Sequence, residues 1–173
     1  MSTIADSIMD AAELRMRGGG FNGFSFREIA DDVGIKSSSV HYHFATKEKL
    51  AAAVVHRYAD RLAERVDREL AGGLDPYDVL TNAFRGTVRS ANRMCPVTVL
   101  GAGSLGLPEE VAAEVKRFFK MCLDKLVGGG LLPDEAAELL ANITGGMVVS
   151  AALDDIATYD RATVKLWRSQ RAV

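Results

Sequence analysis

The stretch FSFREIADDVGIKSSSVHYHFATKEKL, residues 24–50, decides the fold of the N-terminal part of the chain. Ser25 and Glu28 have the spacing of a capping box, which predicts that a short helix begins there. Gly34 predicts a tight stop, and a second short helix follows, capped by one of three serines, Ser37, Ser38 or Ser39. Together with an earlier helix that begins near Thr3, this is the layout of a helix-turn-helix.

If the two helices pack across each other, the second turns its N-terminal half outward. That half carries small side chains and hydrogen-bond donors: Lys36, Ser37, Ser38, Ser39, His41, Tyr42 and His43. Serine and histidine can bond base edges or phosphates, and Lys36 and Lys47 can neutralise phosphate charge. The pattern indicates double-stranded DNA as the partner.

The same stretch resembles the DNA-binding domain of TetR/AcrR-type regulators. The resemblance covers about the first 50 residues and rests on Ser25, Ile29-Ala30, Val33-Gly34, Tyr42-His43-Phe44 and Thr46-Lys47-Glu48. It implies that Ser25, Tyr42, His43, Thr46 and Lys47 hold phosphates, and that Lys36, Ser37, Ser38 and His41 face the bases. The family often has tyrosine at the position of His41 and Gly-Thr at Ser38-Ser39, so the operator sequence stays open.

Charge is distributed unevenly along the N-terminal part. The whole chain carries a formal charge of −2, and residues 1–50 hold six Lys or Arg against seven acids. Residues 36–49 are locally positive, with three lysines against Glu48. Two such stretches side by side would bind DNA better than one, which favours a homodimer on a pseudo-palindrome with half-sites about one helical turn apart.

The rest of the chain has helical periodicity, which predicts an all-α fold of roughly eight or nine helices. We divide it into a DNA-binding domain, residues 1–46, and a helical effector-binding and dimerisation domain, residues 47–173. The resemblance implies that the last two long helices, Pro133 to Asp154 and Thr158 to Ser169, pair with a second subunit. Gly145, Gly146, Ser150 and Ala151 would permit close contact. A core helix within one subunit fits the periodicity equally well.

An effector pocket for a small molecule is expected on the inward stripes of the middle helices. The candidate residues are aromatic or sulfur-containing: Tyr58, Phe84, Met94, Cys95, Phe118, Phe119, Cys122 and Met147. Such a stripe also suits plain core packing. Cys95 lies in a region where some of these regulators carry a cysteine that senses electrophiles or oxidants, so release from DNA by an electrophile is the alternative to release by a small molecule. Arg89 and Arg93 could favour the Cys95 thiolate. An inert, half-buried cysteine is the alternative.

The sequence contains weaker signals for other functions. Gly101 to Gly106 spell GxGxxG after the strand-like residues 97–100, but a dinucleotide-binding enzyme needs a βαβ unit there. His41, His43 and His56 lack the companions of a metal site, so neither metal, cofactor nor enzymatic activity is expected. Two cysteines and no signal-peptide or membrane-span pattern suggest a cytoplasmic protein. A protein-interaction module of the same fold without operator binding remains the other hypothesis.

Overall fold

A computed structural model of the protein describes residues 3–89 and 94–164, and these parts are helical with no strand. The helices, in chain order, are α1 (Ile4–Gly19), α2 (Phe26–Val33), α3 (Ser37–His43), α4 (Lys47–Ala71), α5 (Pro76–Arg89), α6 (Pro96–Ala102), α7 (Glu109–Gly128), α8 (Pro133–Leu153) and α9 (Ile156–Ala162). Single 3₁₀ turns lie at Gly20–Gly23 and Ser104–Gly106. The all-α prediction is confirmed.

Local hydrogen bonds explain why the first helices begin and end where they do. Thr3 and Asp6 form a reciprocal capping box at the start of α1. The hydroxyls of Ser25 and Thr46 accept the backbone N–H groups of Glu28 and Lys49, which satisfies free donors at the starts of α2 and α4. Gly34 ends α2 in the left-handed region, with φ of 75°.

Three details of the predicted elements are wrong. Lys36, rather than a serine, occupies the N-cap of α3, without a side-chain hydrogen bond, so all three serines lie inside the helix. Residues 97–100, which are strand-like in sequence, lie in α6, which begins at Pro96. The last helix begins at Ile156, two residues before the predicted start, and its predicted continuation from 165 to Ser169 lies outside the described residues.

The packing places α4 at the centre of the molecule. Its buried residues, including Val54 and Val55, contact α1 on one side and α7 on the other. The N-terminal unit, which we define as α1 to α3, rests on α4 and on α6. Helices α5, α8 and α9 complete the core around the buried rings of Phe84 and Tyr159.

Helix α8 is apolar on two sides. By length and composition it could cross a membrane, a test that core helices also pass. One side is buried in the core and includes Gly146 and Ser150; a Cβ at Gly146 would lie 2.9 Å from the Cβ of Ala162 in α9. Both residues were expected to face a second subunit, and that expectation is wrong because they close the subunit's own α8–α9 contact. Gly145 does lie on the exposed side.

Candidate nucleic-acid interface

Helix α3 has one buried side chain and exposes most of the others. Val40 is fully buried beneath it, whereas Lys36, Ser38, His41, Tyr42 and His43 are exposed. Tyr42 is 86% exposed, which is unusual for an aromatic side chain that has no binding role. Ser37 and Ser39 are half-buried, so their hydroxyls are less available to a partner.

Aromatic contacts orient two of the candidate side chains. The His41 ring meets the edge of Phe26 in α2, with 4.6 Å between ring centroids. The Lys47 ammonium lies 4.7 Å and 4.8 Å from the centroids of Phe21 and Phe24, a cation–π arrangement that restricts the lysine to the edge of the α3 surface. Both side chains are therefore positioned before any partner binds.

Two further candidates stand at helix starts. The Ser25 hydroxyl also donates to the Glu28 carboxylate at 2.8 Å, and hydrogen bonding from this hydroxyl is the main cause that lowers the pKa of Glu28. Thr46 is exposed at the start of α4. Free N–H groups at a helix start favour phosphate, so these positions suit backbone contacts to DNA.

Ion pairs with arginines neutralise five of the seven acids in the first fifty residues. Arg57 of α4 pairs with Asp10 at 2.6 Å and lies 3.7 Å from both Asp6 and Glu13. These three acids belong to α1 and face α4. They are therefore neutralised on the side of the N-terminal unit that is turned toward the rest of the molecule.

Arg15 neutralises a second group of acids, on α2. Its guanidinium donates two hydrogen bonds to Asp32, at 2.5 Å and 3.0 Å, and one to Glu28 at 3.2 Å. The hydrogen bonds from Arg15 are the main cause that lowers the pKa of Asp32. Of the seven acids in this part of the chain, only Asp31 and Glu48 form no ion pair within the described residues.

Four cations in the same region form no ion pair within residues 3–89 and 94–164. Three are the predicted lysines Lys36, Lys47 and Lys49, and the fourth is Arg27, which is exposed on α2 and which the sequence reasoning missed. Its position two residues after the Ser25 cap, in the first turn of α2, could have indicated a phosphate contact. The surface around α3 is therefore positive although the segment as a whole is not, because its acids are paired elsewhere.

The residues predicted to line an effector pocket come together as a packed core. The ring centroids of Tyr58, Phe84 and Phe119 lie 5.9 Å, 6.3 Å and 5.4 Å from that of Phe118. Met94 packs against the same core, and Cys122 and Met147 are fully buried in it.

A cavity of about 430 Å³ lies beside this core, between α6, α7 and α8. Its walls are Thr98, Gly101, Ala102, Phe119, Thr144, Gly145, Val148 and Val149. Of the predicted pocket residues, Phe119 is the one that lines it.

Cys95 is fully buried at the start of α6. Burial raises the pKa of its thiol, and the nearby polar groups of Thr98 and Tyr58 oppose this rise without being its largest cause. Burial therefore opposes the thiolate that Arg89 and Arg93 were expected to favour. Arg89 is exposed, and Arg93 lies outside the described residues. Burial likewise raises the pKa of Cys122.

The glycine motif has no nucleotide-binding context. Residues 97–100 are helical, in α6, and Ser104–Gly106 form a 3₁₀ turn. Glu109 and Glu110 stand in the first turn of α7, where a pyrophosphate would meet like charge. The described parts of the chain contain no βαβ unit.

Comparison with known proteins identifies the architecture. The sequence model for bacterial regulatory proteins of the tetR family matches residues 8–54, from α1 into α4. Two solved structures share the fold along nearly the whole chain. Residues 8–54 therefore match the tetR family of bacterial regulatory proteins, and the fold of the described residues is that of TetR-family structures.

The first of these TetR-family structures is a TetR transcriptional regulator from Legionella pneumophila, 25% identical, with a TM-score of 0.85 over 94% of this chain and 95% of that one. The second is a TetR-family regulator from Agrobacterium tumefaciens, 28% identical, with a TM-score of 0.82 over 92% and 93%. The repressor KstR2 of Mycolicibacterium smegmatis is 30% identical over 79 residues, 46% of this chain. That match spans 38% of the length of KstR2.

Proposed function

We propose that this TetR-family protein is a ligand-responsive transcriptional regulator, a repressor rather than an enzyme, that acts in the cytoplasm. Residues 1–46 form its DNA-binding domain, and residues 47–173 form its effector-binding and dimerisation domain. It binds a pseudo-palindromic operator as a homodimer and is released by a small molecule. The matched relatives named as repressors support repression as its mode.

The observation that carries this proposal is the exposed surface of α3. Its side chains Ser38, His41 and Tyr42 are exposed, and they are flanked by cations such as Lys47 and Arg27 that form no ion pair in the described parts of the chain. Such an arrangement supplies both kinds of contact that duplex DNA requires: donors that can reach base edges and charges that bind phosphates. Since α3 has only seven residues, one copy offers few contacts, and two copies are needed for a specific site.

The exposed side of α8 supports the homodimer. Val148 and Val149 are each 46% exposed and Leu153 is 63% exposed, and Gly145 lies on the same side. A row of apolar side chains on a long helix is stabilised when a second copy covers it. The cavity beside Phe119 opens near this side and is our candidate for the effector site.

The experiment is a binding titration with labelled duplexes from the DNA that flanks the protein's own gene, at low salt and then at rising salt. We expect a shift at low salt that weakens steeply as salt rises. A matched pair of variants separates the roles of residues. Lys47→Ala should weaken binding to every duplex, whereas His41→Ala should weaken binding to the preferred duplex most. A folded dimer that binds no duplex at low salt would instead be a protein-interaction module.

A further inference from the structure

Arg17, in the last turn of α1, joins the N-terminal unit to two other elements. Its Nη1 donates to the backbone carbonyl oxygen of Met94 at 2.8 Å, just ahead of α6. Its guanidinium carbon lies 5.5 Å from the centroid of the Tyr58 ring in α4. Its Nη2 pairs with Glu13 at 2.7 Å, and both side chains are largely buried, with exposures of 16% and 13%.

Both contacts of Arg17 lead into the same part of the core. The residue after Met94 is Cys95, whose backbone N–H donates to the sulfur of Met147 in α8 at 3.1 Å. The Tyr58 ring packs against Phe118 of α7, and its hydroxyl is near enough to the Cys95 thiol to influence the pKa of that thiol. A change in packing around Phe118 or Met147 therefore reaches Arg17 by two routes.

The end of α1 packs against α6. A Cβ at Gly20, directly after α1, would lie 3.4 Å from a methyl group of Val99 in α6. A planar guanidinium can donate to a carbonyl and a carboxylate at once while its face rests on a ring, which an ammonium cannot do. Moving α1 relative to α6 therefore requires that the partly buried Arg17 contacts break.

We propose that Arg17 is the positioning residue through which the packing of the core around Cys95 and the orientation of the DNA-binding helices influence each other. This inference rests on the proposed function and names its regulatory connection. A ligand that shifts Phe118 or Met147 displaces Met94 or Tyr58, and with them α1. Because such coupling is reciprocal, bound DNA must in turn restrain the surroundings of Cys95.

The test uses the buried Cys95 thiol as a reporter in a Cys122→Ser background. A buried thiol reacts with N-ethylmaleimide only when its surroundings open, so the labelling rate measures that opening. Arg17→Gln and Arg17→Lys are compared with Arg61→Gln. Arg61 is the matched control, since it also approaches Glu13, at 3.7 Å, but is 56% exposed.

Without DNA, both Arg17 variants should label at least about five-fold faster than the parent, and Arg61→Gln should match it. With a saturating bound duplex, the parent and Arg61→Gln should label at least about five-fold more slowly than without DNA. Arg17→Gln should bind the same duplex and show no slowing. As a control, Cys122 is labelled in a Cys95→Ser background. Its labelling rate should be the same with and without Arg17→Gln.

Several results would overturn the proposal. One is a Cys95 labelling rate in Arg17→Gln that equals the parent's without DNA. Another is a decrease in that rate with DNA as large as the parent's, and a third is failure of Arg17→Gln to bind the duplex. An equal rise in Cys122 labelling would show global destabilisation, and parent-like behaviour of Arg17→Lys would show that the guanidinium is not required. If the parent binds no duplex, the proposed function fails, while the comparison without DNA still tests the role of Arg17.

Discussion

Removing the Lys47 charge tests whether the positive surface around α3 contacts phosphates. The Lys47 ammonium lies 4.7 Å and 4.8 Å from the ring centroids of Phe21 and Phe24, so it is positioned before DNA binds. It also forms no ion pair within the described residues. Lys47→Ala removes this charge from a half-buried position in the first turn of α4, where the fold should tolerate alanine because alanine is a good helix former. The expected effect is therefore on binding to DNA of any sequence.

The size of the effect follows from counterion release. Each phosphate that a protein neutralises contributes about 0.9 to the slope of log affinity against log salt. A homodimer loses two such contacts, so the slope should become shallower by about 1.8. Over a four-fold rise in salt, the ratio of wild-type to variant affinity should then shrink by about ten-fold.

Fluorescence anisotropy of a labelled duplex, measured at four or more salt concentrations, gives both slopes. Lys120→Ala is the matched control, because Lys120 lies on α7 and is paired with Asp124 at 2.7 Å. An unchanged slope for Lys47→Ala, or an equal change for Lys120→Ala, would refute the assignment of Lys47 to a phosphate.

Three further outcomes are expected. His41→Ala should cost about 1–3 kcal/mol on the preferred duplex and relax preference at one or two base pairs, measured with singly substituted duplexes; a uniform loss would contradict base contact. Val149→Asp should yield monomers in sedimentation with an unchanged helical spectrum, since this side chain is 46% exposed; a persistent dimer would move the interface elsewhere. Hydrogen bonds from Arg85, at 2.5 Å and 2.6 Å, lower the pKa of Asp160. The stability they contribute is therefore present above the carboxyl's unfolded pKa and lost as pH falls through the folded one. Asp160→Asn should show a shallower acid dependence in urea unfolding, and an identical dependence would count against this pair.

Local hydrogen bonding made the first helices predictable from sequence. The caps at Thr3, Ser25 and Thr46 and the stop at Gly34 depend on residues within a turn of each other. By contrast, α6 was missed because its β-branched residues Val97 to Val99 favour a strand locally. Packing of the segment against α1 and α7 overrides that preference.

Charge pairing could not be read from the sequence because the partners are distant along the chain. Arg57 reaches Asp10 from 47 residues away, and Arg15 reaches Asp32 from 17 residues away. A count of charges in the first fifty residues therefore gave an acidic segment. The folded surface around α3 is positive because these arginines neutralise the acids, whereas the lysines near α3 form no ion pair within the described residues.

The two faces of α8 were indistinguishable for a related reason. Small and apolar residues occur all around the helix, so periodicity did not separate the core side from the exposed side. The structure separates them through α9, whose Tyr159 and Ala162 lie against Gly146. The prediction that α8 pairs with a second subunit therefore depends on Gly145, Val148 and Val149 instead.

Selection of duplexes from a random pool by the full chain tests the central claim most directly. The account predicts enrichment of a pseudo-palindrome whose half-sites are centred about one helical turn apart, with two or more copies of the protein bound per duplex. Recovery of no common sequence by a folded dimer, or of a single half-site bound by one copy, would contradict it.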